Sequence, residues 1–178
     1  MIRLFAALPI PPEIGRVLQA RQAGIEGARW RPLEALHVTL RFYGELRQDV
    51  ARDLDSELMG VSGRPFAIRL EGAGAFNDAQ GEINAVWAGV AESPELRRLA
   101  EACETAGRRA GLKPEKRAYR PHVTLAYLRR ADPEDVAAWI QANNLLKSPE
   151  IGVASFGLYS SHLGHDVSHY RLEAEYGL

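Results

Sequence analysis

The chain has 178 residues, 46% of them hydrophobic and 25% charged, with a formal net charge of −1 at pH 7. These proportions belong to a packed globular protein and exclude both a disordered segment and a globally basic nucleic-acid binder, so any grip on phosphate must come from local clusters. No stretch approaches the roughly 18 apolar residues of a membrane span, one cysteine excludes an internal disulfide and a thiolate zinc site, and the chain reads as cytoplasmic.

Residues 2–8 form a strand-like run stopped by Pro9, Pro11 and Pro12; lacking a small-residue cleavage site, it reads as a first strand and not a signal peptide. Ile14, Val17, Leu18 and Ile25 at helical spacing predict a helix over about 13–25. A strand over 36–43 follows, closed by Gly44. Val50, Leu54 and Leu58 then share one face of a helix over about 48–59, and 66–70 is a further strand. The order now repeats. A strand over 83–90 precedes Ser93 and Pro94, an N-cap and a first-turn proline for a helix to about residue 110. Cys103 falls on the apolar side of that helix and reads as a buried thiol. Residues 120–128 are a strand. The acidic start Asp132-Pro133-Glu134-Asp135 leads into a helix carrying Val136, Trp139 and Ile140, and strands over 151–159 and 170–176 complete the chain.

The order β-α-β-α-β followed by β-α-β-α-β-β indicates an internal duplication, with repeats of about 1–80 and 81–178 inside one bilobal domain of residues 1–178. It predicts an α+β fold: two pseudo-two-fold-related lobes, with antiparallel sheets facing a central cleft and helices outside. In each repeat the tetrapeptide His-Val-Thr-Leu stands on the second strand, His37 to Leu40 and His122 to Leu125, 85 positions apart. Two of the chain's five histidines and two of its three threonines fall in this pattern.

Strand alternation puts His37 and Thr39 on one face and Leu36, Val38 and Leu40 on the other, which is the core face. His122 and Thr124 are likewise opposed to Pro121, Val123 and Leu125. Two such faces across a pseudo-two-fold axis place an imidazole on each side of a phosphate and add two hydroxyl donors. In-line displacement at phosphorus needs a base on the attacking oxygen and an acid on the leaving oxygen, and histidine serves as either near neutral pH. The catalytic candidates are therefore His37 and His122, with Thr39 and Thr124 as phosphate ligands. By the same alternation Arg41 and Tyr43 continue the His37 face, making Arg41 a third phosphate ligand. Arg29 and Arg31 stand near the first motif, and 113–130 carries six basic residues against the single acid Glu115. Phe42, Tyr119, Tyr127 and Tyr159 are candidates for a base-stacking platform. His162, His165 and His169 lack the carboxylates or thiolates that complete a metal site, so no metal and no cofactor is expected.

The chain resembles the 2H phosphoesterase superfamily, and within it the RNA 2′,3′-cyclic phosphodiesterases formerly called 2′-5′ RNA ligases. The resemblance runs over essentially the whole length: Arg3 to Pro9, Trp30 ahead of Leu36 to Phe42, Gly74-Ala75-Phe76, Trp87, Pro121 to Ala126, and Leu158 to Ser161. It implies metal-independent opening of RNA 2′,3′-cyclic phosphate ends to 2′-phosphomonoesters, with weak, reversible 2′-5′ ligation as a companion activity. RNA with such ends is the implied partner; neither a membrane nor an obligate protein partner is implied. Members commonly read His-x-Thr-Leu-Ala-Arg at the second motif, whereas Tyr127 occupies the last position here. Arg129, Arg130 or Arg41 can replace the missing guanidinium, or Tyr127 can donate or stack in its stead; Phe42, Tyr127 and Arg130 are accordingly substrate-binding candidates. Two other functions compete: an esterase for another small cyclic phosphate, and a non-catalytic nucleotide- or RNA-binding module. Binding alone would not require two titratable groups.

Overall fold

In chain order the elements are β1 (Ile2–Pro9), α1 (Pro12–Gln19), β2 (Arg29–Trp30), β3 (His37–Leu46), α2 (Gln48–Met59), β4 (Phe66–Ile68) and β5 (Leu70–Asn77), then β6 (Ile83–Val90), α3 (Pro94–Arg109), β7 (His122–Tyr127), α4 (Pro133–Asn143), β8 (Ile151–Val153), β9 (Ser155–Leu163) and β10 (Ser168–Gly177). The computed structural model describes residues 1–163 and 168–178. Its fold is α+β with antiparallel sheets, as the element pattern predicts. The main sheet runs β10-β9-β1-β3-β7-β6-β5, β2 also pairs with β7, and β4 and β8 form a small second sheet.

Among the described residues β3 and β7 meet at one pairing, Val38 with Val123. The sheet is therefore two arms, β3-β1-β9 and β7-β6-β5, that part on either side of this contact. Their order is mirrored, but the outer strands are exchanged. β9 lies in the second half of the sequence and flanks β1, while β5 lies in the first half and flanks β6. The small sheet pairs the two halves directly, since Phe66–Ile68 and Ile151–Val153 stand at the same 85-residue offset as the histidine motifs. One-residue breaks at Arg69 and Ala154 separate β4 from β5 and β8 from β9, so each of the strands expected at 66–70 and 151–159 is two strands.

The core is built from the positions that periodicity singles out. Val38, Leu54, Leu58, Leu96, Leu125, Val123 and Val136 are all essentially inaccessible. The Ser93 hydroxyl accepts from Leu96 N–H at 3.2 Å with Pro94 in the first turn, and Asp132 caps α4 by accepting from Glu134 N–H at 2.9 Å. Cys103 is buried, and that burial pushes its thiol up to about 12. α1 ends at Gln19, not near residue 25. The chain leaves the helix at Ala20, and Gly24 and Gly27 take positive φ, so Ile25 reaches the core from a loop. β5 is an element that sequence patterning does not show. Its Gly74 is required there because a Cβ at that position would lie 2.4 Å from the Trp87 ring.

Each motif strand carries the same irregularity. Ala7 faces Thr39 while Ala6 faces Arg41, so Leu40 is an extra residue against β1. Trp87 faces Thr124 while Val86 faces Ala126, so Leu125 is an extra residue against β6. Such bulges shift the alternation by one. Leu40 and Leu125 stay in the core, and the residues that return toward the cleft are Phe42 and Tyr127.

Candidate active site

His37 and His122 are held in matching ways. His37 Nδ1 lies 2.8 Å from the Ala35 carbonyl oxygen, and His122 Nδ1 lies 2.6 Å from that of Arg120. In both cases the partner stands two residues upstream and can only accept, so Nδ1 carries the proton and Nε2 is left for chemistry. Aromatic rings fix each imidazole from the side. Phe5 and Tyr170 stand with ring centroids 4.9 and 5.1 Å from His37, and Phe76 and Trp87 stand 4.7 and 6.2 Å from His122.

Burial, partly opposed by the Ala35 carbonyl and aided by the positive charge of Arg31 and by His122, brings His37 down to about 4. His122 is lowered for the same main reason, with the Arg120 carbonyl opposing and the Arg120 charge adding to the effect. In the empty protein His37 is neutral at neutral pH. An anion between the rings raises both histidines, so anion binding takes up protons and weakens as pH rises. Titration calorimetry with sulfate, which does not itself titrate here, in two buffers of different ionisation heat will show net proton uptake at pH 6.5. Binding heat independent of the buffer would count against an anion lying between the rings.

Thr39 and Thr124 are half-buried on the strands that carry the histidines, and neither hydroxyl is engaged in a side-chain hydrogen bond among the described residues. The Tyr119 hydroxyl braces this region by donating to the Thr39 carbonyl oxygen at 3.0 Å.

Arg41 does not join this group. Past the bulge its side chain turns to α3, where the guanidinium pairs with Glu104 and, at 3.4 Å, with Glu115, and donates to the Lys113 carbonyl oxygen at 2.9 Å. Tyr43, expected on the same face, is buried and donates to the Cys103 carbonyl oxygen at 3.0 Å. Simple alternation fails for both because of the bulge at Leu40. Phe42 is 49% exposed beneath the Arg3 guanidinium, and Tyr127 is 40% exposed beneath that of Arg31. Arg130, at φ 54°, lines a concavity of about 360 Å³ with Asp78, Glu82, Asn84 and Arg129, and neither histidine borders it. Of the three further histidines, His162 and His169 are cross-strand partners on β9 and β10, and His165 lies outside the described residues. Phe76, Trp87 and Tyr170 border the histidines without having been singled out as site residues. Their roles depend on pairings between distant strands, which no local pattern carries.

The model of the 2′-5′ RNA ligase superfamily matches residues 10–165. The RNA 2′,3′-cyclic phosphodiesterase of Archaeoglobus fulgidus is 31% identical over 165 residues, covering 91% of this chain and 92% of that protein. The protein of the same name from Escherichia coli is 32% identical over 128 residues, covering 69% and 70%. Among solved structures, E. coli LigT complexed with 3′-AMP superposes with a TM-score of 0.80 at 26% identity, covering 99% of this chain and 98% of that one. With paired histidine motifs on mirrored strands, a family model spanning most of the length and a full-length relative at this identity, the chain belongs to the 2′-5′ RNA ligase superfamily.

Proposed function

We propose that this chain hydrolyses the 2′,3′-cyclic phosphate ends of RNA to 2′-phosphomonoesters, with His37 as general base and His122 as general acid. The observation that carries this reading is the matched pair of Nδ1-to-carbonyl clamps, which leaves both Nε2 atoms free for proton transfer. The relatives bear the name of that activity. His37, the ring pushed to about 4, is neutral and able to take a proton from water. The water oxygen bonds to phosphorus, the P–O3′ bond breaks, and His122 gives its proton to O3′. Thr39 and Thr124 donate to the non-bridging oxygens as their charge builds. A 5′-hydroxyl in place of water gives a 2′-5′ linkage by the same bond changes, which accounts for a weak, reversible ligation. Arg120, over the Phe76 ring beside His122, adds positive charge for the strand that leads to the cyclic end.

The bilobal unit of residues 1–178, with repeats of about 1–80 and 81–178, belongs to the same proposal and is supported by the mirrored strand order. Among the described residues no helix is long and apolar enough to cross a membrane. We place the protein in the cytoplasm with no obligate protein partner.

The test is incubation of an RNA oligonucleotide ending in a 2′,3′-cyclic phosphate with the protein in EDTA, followed by analysis of the ends. A 2′-phosphate formed at the rate seen without chelator is the expected result, because both proton transfers are assigned to side chains. A 3′-phosphate product or a strict metal requirement overturns the mechanism. Faster turnover of a cyclic mononucleotide shifts the substrate to another small cyclic phosphate, and tight nucleotide binding without turnover favours a binding module.

A further inference from the structure

Arg31 is the one arginine among the buried polar residues, at 7% exposure, and among the described residues no carboxylate pairs with it. A cation held out of water without a counter-ion is costly to the fold. It is nonetheless fixed with care. Its N–H donates to the Leu125 carbonyl oxygen at 2.8 Å, its own carbonyl accepts from Gln22 at 2.9 Å, and its guanidinium lies 5.4 Å from the rings of both Tyr127 and Tyr170. One Nη donates to the Tyr170 hydroxyl at 3.0 Å, which leaves that hydroxyl its own proton to give. Its remaining guanidinium nitrogens are not among the fully sealed polar atoms of the described residues. Tyr170 in turn stands edge-on to His37, so this cation belongs to the same cleft.

The bulge at Leu125 turns position 127 toward the cleft, and that is the position at which the resemblance expects an arginine. Here a tyrosine occupies it, with the Arg31 guanidinium over its ring. We propose that Arg31, with the Tyr170 hydroxyl, is the phosphate-binding group on the His37 side of the cleft and supplies, from the position just after β2, the guanidinium that β7 lacks. This rests on the cleft taking a phosphodiester. Arg31 reads the non-bridging oxygens, a planar fork meeting a pair of anionic acceptors. Tyr127 supports the fork by cation–π contact.

The experiment compares the intact protein with Arg31→Met and with Arg31→Met/Tyr127→Arg. Sulfate affinity is measured by calorimetry, and turnover by the RNA end assay. Arg31→Met is expected to weaken sulfate binding about 10- to 100-fold and to raise KM more than it lowers kcat, because charged hydrogen bonds to an anion are lost. Its Tm is expected at or above that of the unsubstituted protein, since an unpaired buried charge has been removed. Tyr127→Arg in that background should recover most of the sulfate affinity. A folded Arg31→Met protein with unchanged sulfate affinity and KM overturns the proposal. Failure of both variants to fold assigns Arg31 to the scaffold and overturns it equally. Sulfate binding lost with Arg31, in a protein that does not open the RNA end, supports the anion site while refuting the proposed reaction.

Discussion

Replacing His37 or His122 with Ala is expected to lower turnover of the cyclic-phosphate end by about 10² to 10⁴-fold each, with the fold retained. Each imidazole makes one described hydrogen bond, to a backbone carbonyl, a contact worth about 1 kcal/mol, and neither belongs to the apolar core. The pH profiles separate the two roles. The active form needs His37 neutral and His122 protonated, and both free rings titrate below 6.5, with His37 at about 4. The optimum of kcat/KM therefore lies on the acid side of pH 6.5, falling below it as His37 gains a proton and above it as His122 loses one. His37→Ala should remove the acid limb from the residual rate, and His122→Ala the alkaline limb. Because the two act on one transition state, the double variant should be far less impaired than the product of the single losses. Single-turnover assays of end-labelled RNA measure all of this. A rate above one-tenth of normal in either single variant would sink the two-histidine mechanism, and limbs that disappear in the opposite order would exchange base and acid.

The second large effect falls on the threonines. Thr39→Val and Thr124→Val remove a hydroxyl while keeping β-branched shape and strand preference, and each is expected to lower kcat about 10²-fold, as when one donor to a developing oxyanion is lost. Thr→Ser at either site should remain within several-fold of normal. Since neither hydroxyl has another described side-chain partner, circular dichroism and Tm should hardly move. Normal kcat in both valine variants would mean that the hydroxyls do not touch the reacting phosphate.

Much of this was legible in the sequence because the duplication repeats its own signals. The periodic leucines of α2, the Ser93-Pro94 and Asp132-Pro133 helix starts and the His-x-Thr pairs are local patterns, and each maps onto a described element. What failed was long-range. An extra residue at Leu40 is visible only against its partner strand, and without it Arg41 and Tyr43 seem to face the cleft. β5 is disguised by Gly72 and Gly74, the second of which makes sense only once the Trp87 ring lies across it. Arg31 seems one basic residue among several near the first motif. Its distinction, burial between two tyrosines from distant strands, arises only in the assembled sheet.

The exchange of outer strands bears on how the protein is made. β1 is synthesised before β3 and pairs with it, but its other edge waits for β9, whose residues lie about 150 positions later. Until then the nascent amino-terminal half presents the open edge of an apolar strand, a template for pairing with another chain. β5, in the same half, has no strand of its own to pair with before β6 is synthesised. Ordering of the first arm thus depends on contacts far apart in sequence, which slow folding and reward synthesis that runs quickly through β9. Translation stalled between β7 and β9 would release a chain that carries both histidines yet lacks the strand that closes the first arm.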